Sequence, residues 1–351
     1  MSIETLPSTT EDLILSGLEP RDLVRYSKVS RTTHSTTFSY VWHAFNINKH
    51  LSQYFPPSKV DDFRVLQCST GTLVSGASAL EFFLRRPSDT LTLDLYVDHV
   101  FALKVGQWLL SVGYKFVRRT VQPQEFKQAY IYSTSPSAIP CHEVAVGINT
   151  IFDFRHPESH AIVHLVSAAS SPLHVILNFH LTCVMNIISH DVAVSLYPSA
   201  TFATQPKSLL INYAGTLLGQ QPERYSDMLK YEKAGWTMIS RIMWPDFNNS
   251  VRRICDRFCW TIPLRPVDKI GFTVLDGFSV EGNTWRLYMG GFSGNTMVFS
   301  PVVHYRLRYN YISAEKKAID DGLKKVNLIS KSHKYADRIY LYAVDDLYGH
   351  L

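Results

Sequence analysis

One stretch of this chain narrows what it can fold into more than any other. Over residues 72–97 the pattern reads strand, small-residue turn, helix, strand. Thr72–Leu73–Val74 is a short apolar strand ending in Ser75–Gly76. Ala77–Ser78 then leads into Ala79, Leu80, Phe82, Phe83 and Leu84 at helical spacing. After the polar turn Pro87–Ser88–Asp89, residues 91–97 alternate like a half-buried strand that carries Asp94. Read by themselves, Gly76 and Ser78 form a helix entry and Asp94 is a partly exposed carboxylate.

Residues 1–55 read as helical. Thr9, Thr10 and Glu11 cap a run through Leu13, Ile14 and Leu15, which Gly17 stops. Pro20 and Asp22 suit the first turn of a second helix that continues through Leu23, Val24, Tyr26 and Val29. A third helix is expected over about 35–54, with Phe38, Val41, Trp42, Phe45 and Ile47 as its apolar face. Pro56–Pro57 ends it and marks the best domain boundary. Further on, residues 102–113 read as a helix, 130–132 and 143–146 as weak strands, and 161–166 as a good strand. Residues 172–188 read as helical, and the segment to about 202 as a connector. Residues 223–242 hold a helix with a charged side. Residues 271–312 read as an antiparallel meander, and 314–332 as a last amphipathic helix with Lys316, Lys317, Lys324 and Lys325 outward. The expected fold class is α+β.

At 351 residues, 46% hydrophobic and 19% charged, the chain is long enough for two or three domains and too apolar for disorder. No run approaches the ~20 apolar residues that span a bilayer, so no membrane is expected. The start has neither the basic nor the apolar region of a secretory leader, and five scattered cysteines suit a reducing compartment. An intracellular protein, cytoplasmic or nuclear, is therefore expected. The net charge of +5 is spread through the middle of the chain, a poor match to a nucleic-acid partner.

Two segments carry resemblances. Leu6–Pro7, Glu11–Asp12–Leu13–Ile14–Leu15, Leu18–Glu19–Pro20–Arg21–Asp22–Leu23–Val24 and Lys28–Val29–Ser30–Arg31 together resemble an F-box. The resemblance implies a helical trio that docks on the linker subunit of a cullin-type ubiquitin ligase. Leu13, Leu15, Leu18, Pro20, Leu23 and Val24 would face that partner. So short a unit cannot bury its apolar stripe alone, and the rest of the chain is the other surface available to cover it.

The layout at 72–97 resembles the nucleotidyltransferase fold. In that fold the small-residue turn brings a nucleotide triphosphate to a helix N-terminus. Two carboxylates at i and i+2 on the next strand, and a third on a later strand, hold divalent metal. The resemblance makes Gly76, Ala77 and Ser78 nucleotide-binding candidates and Asp94 the catalytic and metal candidate, with Mg2+ and a nucleotide as cofactors. The chain departs from the pattern: Thr92 stands at the other position of the pair, Ala77 follows Gly76, and His164 stands where the third carboxylate is wanted. Asp98 is four residues from Asp94, roughly 13 Å along a strand. One carboxylate of three makes the core degenerate, and no cofactor is expected.

Over about 10–265 the chain also resembles an uncharacterised fungal family. Phe63–Arg64–Val65–Leu66–Gln67, Thr70–Gly71–Thr72–Leu73–Val74–Ser75–Gly76, Asp94–Leu95–Tyr96–Val97, Thr182–Cys183–Val184–Met185–Asn186 and Leu196–Tyr197–Pro198 carry that likeness. It implies an F-box-like front and a nucleotidyltransferase-like core.

Other groups are weaker. His174, His180 and Cys183, and Cys255 with Cys259, lack paired zinc-site spacing and read as core residues. The aromatics Phe272, Phe278, Trp285, Tyr288, Phe292, Phe299, Tyr305, Tyr309 and Tyr311, with Arg286, Arg306 and Arg308, read as cross-strand core before they read as an RNA-stacking surface. The expected organisation is an F-box-like segment at 1–55, a degenerate nucleotidyltransferase-like core at 60–205, and an α+β remainder at 206–351. The expected function is a non-catalytic protein-interaction module, either an F-box-like adaptor or a pseudo-transferase scaffold. One alternative is a nucleotidyltransferase with a reduced metal site at Asp94. The other is RNA binding through the aromatic C-terminal sheet.

Overall fold

A computed structural model describes residues 8–88, 90–135, 146–211, 222–241, 247, 249–268, 277–290, 294–329 and 335–348. Three helices come first: α1 (Ser8–Ser16), α2 (Pro20–Ser27) and α3 (Arg31–Ala44). Ser30 caps α3 reciprocally with Thr33, its Oγ accepting from the Thr33 N–H at 3.0 Å while its own N–H donates to Thr33 Oγ1 at 2.9 Å. The trio has a small core of its own. Leu15, Leu23 and Tyr40 are buried, with Leu18, Tyr26, Val41 and Ala44 packed on them.

The third helix differs from expectation in extent and in face. It ends at Ala44, buries Thr33, Thr37 and Tyr40, and leaves Phe38 exposed. Asn46 caps a separate short helix, α4 (Ile47–Leu51), through the Lys49 N–H. From there Phe45, Ile47, Leu51, Tyr54 and Phe55 join the same apolar core as the central sheet. Pro57 then opens a helix, α5 (Pro57–Thr70), so the core runs on through the proline pair. Sequence periodicity misses α5 because its buried side includes polar residues. Arg64 donates twice to the His190 carbonyl, at 3.1 and 2.6 Å, and Gln67 Nε2 donates to the carbonyls of Thr72 and Ile188.

The central elements follow in order: β1 (Leu73–Ser75), α6 (Gly76–Leu84), β2 (Thr92–Asp98), α7 (His99–Ser111), β3 (Lys115–Val117), α8 (Phe126–Ser133), β4 (Ile148–Arg155), β5 (Ile162–Ala168), α9 (Pro172–Ile176), β6 (Asn186–Ile188), β7 (Val192–Ser195), α10 (Pro198–Thr201), β8 (Lys207–Leu209), α11 (Pro222–Lys233), β9 (Thr237–Ile239), β10 (Val251–Arg253) and β11 (Trp260–Pro263). Among the described residues, eight strands form one mixed sheet in the order β11-β7-β6-β1-β2-β5-β4-β3. Within it β2 and β5 run parallel and the other neighbours antiparallel.

Three expectations are corrected here. Residues 130–132 lie in α8, not in a strand. The helix expected over 172–188 stops at Ile176, and residues 186–188 are β6, a central strand beside β1. The connector to 202 contains β7. Strands of three or four residues, buried on both faces, show no alternation for periodicity to find. The strand expected at 143–146 falls mainly outside the described residues.

In the C-terminal part α11 ends at Lys233. Gly235, at φ +107, turns the chain into β9, which pairs in parallel with β8. Strand β10 joins the hairpin of β12 (Thr284–Gly290) and β13 (Gly294–Val298), and β14 (Ser300–Val302) pairs with β15 (Tyr311–Ser313). The expected meander is thus a hairpin plus a separate ribbon. The last helix, α12 (Lys316–Ile329), is followed by α13 (Ala336–Tyr348), which sequence reading did not anticipate.

The sheet is covered on both sides. Leu93, Leu95, Val97, Phe152, Phe154, Val163 and Leu165 point to one face and pack with Phe82, Phe83, Val105, Leu109 and Phe126. Leu73, Tyr96, Val166 and Ala168 point to the other and pack with Trp285, Tyr309, Tyr311 and Ile312 of the C-terminal part. Among the described residues, no helix is long and apolar enough to cross a membrane.

Candidate functional site

Strand register brings together the charges at one end of the second face. Ser75 of β1 lies opposite Asp94 of β2, Asp94 opposite His164 of β5, and His164 opposite Asp153 of β4. The result is a row, Asp94–His164–Asp153, across three adjacent strands. Asp94 abuts the start of α6. Gly76 adopts φ +72, and a Cβ built there would sit 2.9 Å from Asp94 Oδ2. Glycine is required at that position by both the backbone and the carboxylate. His164 Nδ1 meets Asp153 Oδ1 at 2.7 Å. Arg119 grips Asp153 through Nε at 2.8 Å and Nη2 at 3.1 Å.

The electrostatics follow from these contacts. Burial raises the Asp94 carboxyl, while His164 and Lys230 of α11 oppose that shift. The hydrogen bond to Asp153 raises His164, against burial, and Asp94 adds to the rise. Burial pushes Asp153 up, but His164 and Arg119 more than offset it and hold its carboxyl below the usual range. The row holds a proton well, because imidazole stands between two carboxylates that both favour its charged form.

The donor set does not fit the divalent metal that the nucleotidyltransferase resemblance implies. A hard cation needs several carboxylate or carbonyl oxygens around one point. Here Asp94 and Asp153 are two strand spacings apart, roughly 10 Å, with His164 between them. Asp153 is already committed to Arg119, and two cationic side chains, Arg119 and Lys230, act on the row together with His164, whose pKa the hydrogen bond to Asp153 raises. Among the described residues, no group of three or more His, Cys, Asp or Glu side chains is placed to hold a metal ion. Thr92 donates to the Thr90 carbonyl at 3.3 Å. Asp98 caps α7 through the Val100 N–H and accepts from Asn310.

The other sequence candidates separate. The Ser78 hydroxyl is buried and bonded to His50 Nε2 at 3.0 Å and to Tyr54 OH at 3.1 Å, so it is taken up by the N-terminal segment and not offered to a nucleotide. Ala77 is half-buried beside Gly76 and brings no donor of its own side chain. Of the partner-facing set, Leu15 and Leu23 form the trio's own core, Leu18 packs on it, and Pro20 opens α2. Leu13 and Val24 are exposed. The correction has a simple cause: helical spacing does not say which of two apolar stripes a short bundle keeps for itself.

The C-terminal aromatics are mostly core. Phe278, Trp285, Tyr309 and Tyr311 are buried, and Trp285 Nε1 donates to Tyr197 OH at 2.9 Å. Tyr288 and Tyr305 are exposed, whereas Arg286 pairs with Glu315. Phe272 and Phe292 lie outside the described residues. His174 bonds Ser170, Cys183 is buried, and His180 lies 3.8 Å from Asp227. Cys259 packs beside the buried pair Arg252–Asp256.

Sequence reading missed Asp153 and Arg119. A signal for Asp153 was present: Phe152 and Phe154 alternate with Asp153 and Arg155, the pattern of a strand with one apolar face. Nothing local marks Arg119. Compared with known proteins, the chain matches no family model, no curated protein and no solved structure.

Proposed function

We propose that this chain is a protein-interaction module, an F-box-like adaptor carried on a core that does no two-metal chemistry. Its partner is the linker subunit of a cullin-type ubiquitin ligase. One observation carries the reading: the trio's own core is closed, yet Leu13 and Val29 are each 73% exposed and Phe38 is 53% exposed, with Ile14 and Val24 exposed beside them in sequence. Covering a large apolar side chain is worth about 1.5–3 kcal/mol, so a partner that covered these side chains would be favoured. Leu13 and Val24 make the contact, and Leu15, Leu23 and Tyr40 hold the helices that present them. The Asp94–His164–Asp153 row supports a non-catalytic core, because its cations oppose the metal that phosphoryl transfer would need.

The test is co-purification of the full chain with the purified linker subunit. Capture by wild type, lost in Leu13→Asp and Val24→Asp at unchanged thermal midpoint, supports the reading. Failure of wild type to bind overturns it. Leu23→Asp is no test of docking, since it places a charge in the trio's core.

A further inference from the structure

A second place in the molecule gathers positive charge. A pocket of about 270 Å3 opens between α4 and the C-terminal end of α6. Lys49, His50 and Gln53 face Phe82, Arg85 and Arg86 across it. No Asp or Glu lines it among the described residues, and none of its three cations makes an ion pair there.

The arginines are held in place by the way α6 ends. The Arg85 N–H donates to the Phe82 carbonyl and the Arg86 N–H to the Glu81 carbonyl, both at 3.0 Å, and Arg85 sits at φ +55. Glycine or asparagine usually takes that left-handed position, which strains a residue with a Cβ. The Arg85 side chain has a use for it. Its guanidinium lies 5.7 Å from the Tyr40 ring centre and 5.6 Å from that of Phe45, and it donates to the Ser16 carbonyl at 3.0 Å. Aromatic faces and one carbonyl orient the group without neutralising it.

The remaining walls are neutral and fixed. Burial pushes His50 down to about 4, so its ring is uncharged at neutral pH, and Nε2 is engaged by Ser78. Gln53 Oε1 accepts from the Ser88 N–H at 2.8 Å. Phe82 is buried and supplies an apolar floor.

We infer that this pocket binds a small organic anion, a phosphate or carboxylate carried on a flat apolar body. The acid group meets Lys49, Arg85 and Arg86, and the body lies on Phe82. The planar fork of arginine matches both acids. The volume falls just below the range of about 300–1,000 Å3 typical of drug-sized ligands, which limits the body to a single ring system or a small bicycle. Arg85 also ties the trio to α6, so a ligand here braces the trio against the sheet. The inference stands apart from the linker-subunit reading, because none of these residues belongs to the trio's exposed apolar set.

The experiment is calorimetric titration of the full chain at low salt with inorganic phosphate, adenosine monophosphate and benzoate. Each titration is repeated on Lys49→Gln and Arg86→Gln, both exposed and dispensable for packing, with Arg338→Gln as a distant control. Saturable binding of adenosine monophosphate, benzoate or both, weakened about tenfold or more by either pocket variant and unaffected by the control, supports the site. Adenosine monophosphate alone assigns a phosphate head, and benzoate alone a carboxylate. The proposal is overturned by no saturable binding of any probe, by equal binding in the pocket variants, or by inorganic phosphate binding as tightly as the ring-bearing probes.

Discussion

The N-terminal trio and the eight-stranded sheet treat their difficult surface in opposite ways. The trio buries Leu15, Leu23 and Tyr40 and leaves Leu13, Val24, Val29 and Phe38 in solvent. The sheet covers both faces, and its strong charges have partners: Asp153 has Arg119 and His164, and nearby the buried Arg252 has Asp256. The contrast locates the unfinished contacts. On the first three helices they are apolar, whereas Asp153 and Arg252 are already answered from within the chain.

The largest expected effect comes from leaving one answered charge alone. Arg252 is fully buried, donates to Asp256 at 2.6 and 3.1 Å, and lies over the rings of Tyr197, Phe258 and Trp285. Asp256→Ala is expected to cost about 3–5 kcal/mol, read as a drop in the urea midpoint. A cost below 1 kcal/mol would show that the pair is not what holds this region.

Acid is expected to weaken the fold next. Burial lowers both His50 and His180 to about 4. Below 6.5 the unfolded chain binds protons that the folded chain refuses, so stability present at neutral pH is lost as pH falls from about 6.5 toward 4. For His50 alone the loss is of order 3 kcal/mol. His164 works in the opposite sense, since its raised pKa adds stability below 6.5 that fades as pH rises through the folded value. Urea midpoints at pH 5 and 7 should differ, and His50→Gln should shrink the difference.

A smaller effect probes the row itself. Asp153→Asn weakens the charge-assisted hydrogen bond that most raises His164, and its imidazole pKa should fall, followed by NMR titration. An unchanged titration would mean the row is not coupled. The smallest change is expected at the trio's outer face. Leu13→Asp and Val24→Asp should move stability by no more than about 0.5 kcal/mol. A loss of 2 kcal/mol or more would mean that this chain covers the face with its own residues.

Much of the local structure was legible because it rests on local chemistry. Pro20 and Gly17 punctuate the first helices, and Gly76 marks the entry to α6. The α+β class followed from the same signals. What escaped depends on distance. Helix α5 buries Arg64 and Gln67 because carbonyls of His190 and Ile188 await them over 120 positions later. Strand β6 is three buried residues that gain an identity only beside β1. At the site, Gly76 and Asp94 were each singled out, but Arg119, the partner of Asp153, lies two residues past β3, whose register with β4 sets Val117 opposite Asp153. The pocket of Lys49 and Arg85 joins segments that no spacing rule connects.

One pairing has a consequence for how the molecule is made. Strand β1 sits between β2 and β6, and Ser75 Oγ reaches the Asn186 carbonyl across 111 positions. A ribosome therefore delivers the trio, β1 and β2 long before it delivers the strand that closes the other side of β1. Until then the nascent chain carries an open edge, a ready template for pairing with another molecule. A chain cut after α9 keeps that edge for good. It should collect in aggregates.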